Sequence, residues 1–152
     1  MMRKGLNIFL IVLFLSSPVF AAPKWLKNDG WTSGQSTPQI GFIANEMMAS
    51  VFVPGAGDYP IKLLKIQYLL RKFLFPGDTG QFTMYIWKDT GTINPGQLLF
   101  EQTYTLTISN NLQEIDISSE DIVITSGNIR VGWKFFQDHC PTFCTDPEFP
   151  HF

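Results

Sequence analysis

The stretch "NIRVGWKFF" at 128–136 alternates apolar and polar residues, so that Ile129, Val131, Trp133 and Phe135 share one face of an extended chain while Arg130, Gly132 and Lys134 share the other. That two-residue period recurs along most of the chain and constrains its fold more than any other feature. It predicts strands at 40–44, 47–53, 61–70, 81–88, 97–108, 113–117, 121–125 and 128–136. Between them lie "PGAGDYP", "FPGDTG", "DTGTINPG", "SNN" and "SG", where Gly supplies positive φ and Pro presets a turn. In "QFTMYIWK" the apolar face is Phe82, Met84 and Ile86, which puts Tyr85 and Trp87 on the opposite face with Gln81 and Thr83. In the run from Gln97, Leu98, Phe100, Tyr104, Leu106 and Ile108 fall on one side, with Glu101, Thr103, Thr105 and Thr107 on the other. Strands with one apolar face each must pair those faces, so the expected class is all-β: a two-sheet antiparallel β-sandwich, jelly-roll-like.

The N-terminus carries different information. Arg3 and Lys4 precede an apolar run from Leu6 to Leu15, followed by small residues, and Val19 and Ala21 suit the −3 and −1 positions of a signal-peptidase site. Residues 1–21 read as a bacterial export signal cut between Ala21 and Ala22. The apolar core is interrupted at Asn7 and by Ser16, Ser17 and Pro18, too short for a spanning helix of about 20 apolar residues. The expected localisation is secreted or periplasmic, with no membrane span once the signal is removed. The remaining 131 residues suffice for one domain: an irregular lead-in at 22–39, then the sandwich at 40–152. Loss of Arg3 and Lys4 leaves nine basic residues against 13 acids, a net charge of −4. A chain without clustered Lys and Arg is a poor match to a phosphate backbone, so nucleic acid is not an expected partner.

Four motifs stand in a particular order: Tyr59-Pro60 before a long strand, the aromatic strand Tyr85 to Trp87 followed by Asp89 and the turn Asn94-Pro95-Gly96, the segment Glu114-Ile115-Asp116-Ile117-Ser118, and Val131-Gly132-Trp133. In this order the chain resembles an accessory β-sandwich module of secreted bacterial proteins, often found beside peptidases or surface-anchoring segments. The resemblance implies a non-catalytic extracellular module with no generally assigned ligand. Members continue past the equivalent of Asp146 into a further aromatic-rich strand, so a C-terminal strand is expected to be missing from this chain.

The last fifteen residues, "DHCPTFCTDPEFPHF", gather His139, His151, Cys140, Cys144 and three carboxylates. Export and an even cysteine count favour a Cys140–Cys144 disulfide over free thiols. A tetrahedral metal set from His139, Cys140, Cys144 and His151 is the weaker alternative, because one side is a single terminal histidine. No metal and no cofactor are expected; calcium at Asp78, Asp89 or Asp146 is less economical than turn chemistry, for an Asp within two residues of Gly or Pro is ordinary turn sequence. The chain lacks GxSxG, HExxH and GxxxxGK[ST], and both histidines fall in its last fourteen residues, so no enzyme is expected.

Two functional expectations follow. One is binding of a glycan or peptide through an exposed aromatic face made of Tyr85 and Trp87 with Gln81 and Thr83, since rings two residues apart on a strand stand about 6.5 to 7 Å apart. On that reading the partner is a polysaccharide or a protein outside the cell. The other is a structural or assembly role in the cell envelope or extracellular matrix, without a small ligand. A lead-in carrying Trp25 and Trp31 that covers the aromatic face would remove the first. Both start from export, which predicts a mature N-terminus at Ala22: Edman sequencing of exported material should read Ala-Pro-Lys-Trp, and retention of Met1 in a membrane fraction would contradict it.

Overall fold

The computed structural model describes residues 22–27, 37–39, 43–71, 79–106, 112–138 and 142–145. These residues form an all-β, antiparallel structure. The strands are β1 (Thr37–Gln39), β2 (Met47–Phe52), β3 (Ile61–Lys62), β4 (Lys65–Tyr68), β5 (Leu70–Arg71), β6 (Gln81–Asp89), β7 (Gln97–Thr105), β8 (Gln113–Asp116), β9 (Val123–Ile124), β10 (Asn128–Phe135) and β11 (Thr142–Thr145). Two short 3-10 turns, Ala56–Asp58 and Ser118–Glu120, are the helical content of the described residues. No helix of the described residues is long and apolar enough to cross a membrane; residues 1–21, read as the signal, lie outside them.

A four-stranded sheet, β2-β10-β6-β7, is the largest unit. Its alternation follows the sequence closely: Ile129, Val131, Trp133 and Phe135 of β10 pair with Lys88, Ile86, Met84 and Phe82 of β6. The apolar members of these rows are buried on one face, where they meet Phe100 and Leu106 and the isoleucines 115, 117, 122 and 124. Those isoleucines come from the segment that pairs with the long strand predicted at 61–70. The long strand is in fact divided, because it changes partner along its length: β3 pairs with β9, β4 with β8 and β5 with β11. Hydrogen bonds from Leu63 N to the Ile122 carbonyl (3.0 Å) and from Ile117 N to the Leu64 carbonyl (2.9 Å) bridge the breaks. The core therefore lies between one face of the four-stranded sheet and these short ladders.

Three sequence expectations are corrected. The strand expected at 40–44 is replaced, over its described part, by a turn. Asn45 has a left-handed φ of 71°, the Glu46 N–H bonds the Ile43 carbonyl, and the Ala44 N–H is held by Asp138 Oδ1 at 2.8 Å. The lead-in is not wholly irregular, for its last residues form β1. The chain after 136 is not a tail without strands either: β11 lies between β1 and β5, with Cys144 opposite Pro38. Its four residues, "TFCT", set Phe143 and Cys144 side by side and gave no alternation to read. Cys140, His139 and His151 lie outside the described residues, and no disulfide is seen within them. Because Thr142–Thr145 is extended, a Cys140–Cys144 bond demands a sharp reversal immediately before β11, since bridged Cα atoms must lie within about 7 Å.

Trp133 is buried at the centre of an aromatic group, with ring centroids 5.3 Å from Tyr68 and 5.6 Å from Phe82. It joins the four-stranded sheet to β4 across the core. Trp133→Ala removes both contacts and leaves a cavity, and should lower unfolding free energy by about 3–5 kcal/mol, measured by urea denaturation.

Candidate functional site: the outer face of the four-stranded sheet

The side of the four-stranded sheet away from the core carries the residues that the alternation assigned to it. Gln81, Thr83, Tyr85, Trp87 and Asp89 project from β6; Arg130, Gly132 and Lys134 from β10; Met47, Ala49 and Val51 from β2. The four residues proposed from sequence as a binding platform thus share one face. Availability differs sharply among them. Gln81 is exposed and Tyr85 half-buried, but Thr83 is buried, its hydroxyl 2.9 Å from that of Thr103 across the β6–β7 ladder.

Trp87 corrects the expectation of an exposed aromatic face: it is 7% exposed. The reason lies on the neighbouring strand. Gly132 leaves a hole in the side-chain layer, and the indole fills it so closely that a Cβ at Gly132 would stand 2.8 Å from the Trp87 ring. Tyr85 closes the other side, with ring centroids 5.1 Å apart and planes 8° from parallel. Tyr85 is itself held by its cross-strand partner Glu101; burial and that carboxylate both push its phenol pKa upward, burial more. The cover is supplied by the sheet's own residues. Of the lead-in tryptophans, Trp25 is largely exposed and Trp31 lies outside the described residues.

A β-bulge adds to the closure. Ile86 pairs with Phe100 but Trp87 pairs with Leu98, so Leu99 is an extra residue in β7 and shifts the phase of the strand. Leu98, expected on the inner face with Phe100, therefore stands on the outer face beside Trp87. Gly96, just before β7, sits where a Cβ would come within 2.0 Å of the Lys88 carbonyl, so the entry to the strand requires glycine.

Beside Trp87 on the same face lies a buried ion pair that sequence reading missed. Arg130 Nη2 is 2.6 Å from Asp89 Oδ1, with side chains 13% and 2% exposed. The approach is off the hydrogen-bonding direction, so the contact is chiefly electrostatic. Asp89 Oδ2 accepts the Gly91 N–H at 3.1 Å, and Arg130 donates to the carbonyls of Ile93 (3.0 Å) and Thr92 (2.7 Å). The guanidinium thus ties β6, β10 and the 90–96 turn together, leaving Ile93 at the tip 94% exposed. With Arg130 against it, Asp89 is not a calcium ligand in this arrangement; Asp78 and Asp146 lie outside the described residues. An "Asp-Thr-Gly" turn followed forty residues later by Arg in a central strand was the available signal, but nothing in the order of residues says that they meet.

No group of three or more His, Cys, Asp or Glu side chains placed to hold a metal occurs among the described residues. No protein-family model, no curated protein and no solved structure matches the chain.

Removing one member of the buried pair leaves the other charge uncompensated. Asp89→Asn should cost about 3–5 kcal/mol and increase hydrogen exchange at Gly91, whose N–H the Asp89 carboxylate holds. Pairing it with Arg130→Met should return part of that stability; an unchanged denaturation midpoint in Asp89→Asn would show the pair to be idle.

Proposed function

We propose that this protein is an exported, non-catalytic β-sandwich module that works as a structural or assembly piece through contacts with protein. The four-stranded sheet would be one layer, and the segments pairing along 61–71 the other. What carries the reading is the closure of Trp87 between Gly132 and Tyr85. A sugar-stacking site needs an open ring face, and here the indole spends its faces on the protein itself. Thr83, the neighbouring polar group, is likewise buried and bonded to Thr103. Acidic groups elsewhere serve the fold, among them Asp89, which holds Arg130, Asp138, which holds the Ala44 turn, and Asp121 and Glu114, which pair with Lys62 and Lys65.

The binding reading retains one foothold, the half-exposed Tyr85 beside exposed Gln81, Glu101 and Thr105. Such a shallow surface buries little of a ligand and would give about micromolar to millimolar affinity. A form retaining Trp87 as its sole tryptophan, with Trp133→Phe keeping an aromatic ring in the core and Trp25 and Trp31 also replaced by Phe, decides between the two. Its fluorescence should be blue-shifted and resist acrylamide quenching, Trp87→Ala should destabilise the fold by about 2–4 kcal/mol, and a polysaccharide panel should give no binding dependent on Tyr85 or Trp87. Saturable polysaccharide binding lost in a folded Tyr85→Ala or Trp87→Ala variant would replace the assembly reading with the glycan one.

A further inference from the structure

The two edges of the four-stranded sheet are β2 and β7. Natural edges are blunted by charge, proline or a bulge, because an open row of N–H and C=O groups is a template for another strand. β7 has such devices in the Leu99 bulge and the exposed Glu101. β2 keeps such devices to its ends, in Glu46 and the extra residue Asn45 opposite Phe135; between them "MMASVFV" carries no charge, and its inward-facing Met48 and Phe52 pack on the core yet remain only half-buried. No described residue pairs with its free side.

The ladder shows which backbone groups face outward. The Phe135 N–H bonds the Glu46 carbonyl (3.0 Å) and the Asn45 N–H bonds the Phe135 carbonyl (2.7 Å), so this row is of the hydrogen-bonded type. Hydrogen-bonded and non-bonded rows alternate in an antiparallel pair. Met48, Ser50 and Phe52, opposite Trp133, Val131 and Ile129, therefore direct their backbone groups at β10. Met47, Ala49 and Val51 direct theirs at the free edge.

We propose that this edge is a self-association surface, where a second copy of the chain adds antiparallel through Met47, Ala49 and Val51 about a twofold axis at Ala49. This rests on the assembly reading and names its partner. In that register Ala49 meets Ala49 and Met47 meets Val51, each pair exchanging two backbone hydrogen bonds, while the nearest acid, Glu46, falls opposite Phe52 and not its own copy. No like charges oppose one another. The same operation about the midpoint of β7 would set Glu101 against Glu101, which argues for β2 as the seam. Joined so, two sheets become one of eight strands, and the outer-face side chains of Met47, Ala49 and Val51 abut their copies.

The test is sedimentation equilibrium of the full-length mature protein with two variants. Ala49→Pro removes an N–H that faces away from β10 and should leave the fold intact, as proline is accepted at such edge positions. Ala49→Lys sets two ammonium groups together at the twofold. Wild type should be a dimer with a dissociation constant in about the micromolar to millimolar range, and both variants monomeric, with the melting temperature that wild type shows when diluted to monomer; high salt should restore part of the association in Ala49→Lys alone. If Ala49→Pro fails to fold, Ala49→Lys decides. A wild type that stays monomeric throughout that range, or a dimer that persists in the folded variants, overturns the self-pairing. Either result leaves assembly through another surface standing, since the assembly reading falls only on tyrosine- or tryptophan-dependent polysaccharide binding.

Discussion

Strand β10 is the element on which the rest of the structure leans, because it is used on both faces at once. Inward, Ile129, Val131, Trp133 and Phe135 form a continuous apolar row against the short ladders. Outward, Arg130 and Gly132 perform opposite tasks two residues apart. One supplies a buried charge that anchors Asp89 and the 90–96 turn, and the other supplies an absence of side chain that Trp87 fills. The strand's two neighbours, β2 and β6, both take their register from it.

The pairing of Trp87 with Gly132 shows why a large aromatic on a half-wet sheet face need not be a ligand platform. A glycine inside a strand costs backbone entropy and contributes no packing. A ring laid over it from the adjacent strand recovers apolar burial and shields the exposed peptide, and Tyr85 then covers the ring from the other side. The arrangement consumes the surface a sugar would have used. Edge strand β2 is the reverse case, in which apolar side chains remain outward beside backbone groups that no described residue pairs with, and a contact with another chain is the economical use of them.

The inner faces of β6 and β10 were legible in the sequence because a two-residue period is a local property: once a strand is assumed, Phe82, Met84 and Ile86 must share a side. The same rule placed Gln81, Thr83, Tyr85 and Trp87 together on the opposite face. It failed at Leu98, where the extra residue Leu99 reversed the phase, and bulges leave no mark in an apolar pair such as Leu98-Leu99. It failed also at β11, whose four residues pair with two strands distant in the chain. Local alternation carries no information about such partners.

By itself, then, the order of residues determined that the chain is β-structured, where most strands and turns fall, and which side chains share a face. Only the tertiary structure decided what each face meets. Whether Trp87 is open or closed depends on Gly132, forty-five residues away, and whether Asp89 is a turn residue, a metal ligand or the partner of a buried arginine depends on Arg130, forty-one residues away. Strand pairing brings these residues together through backbone hydrogen bonds that are chemically the same at every position, so the chain's side-chain pattern can require a partner without specifying which one.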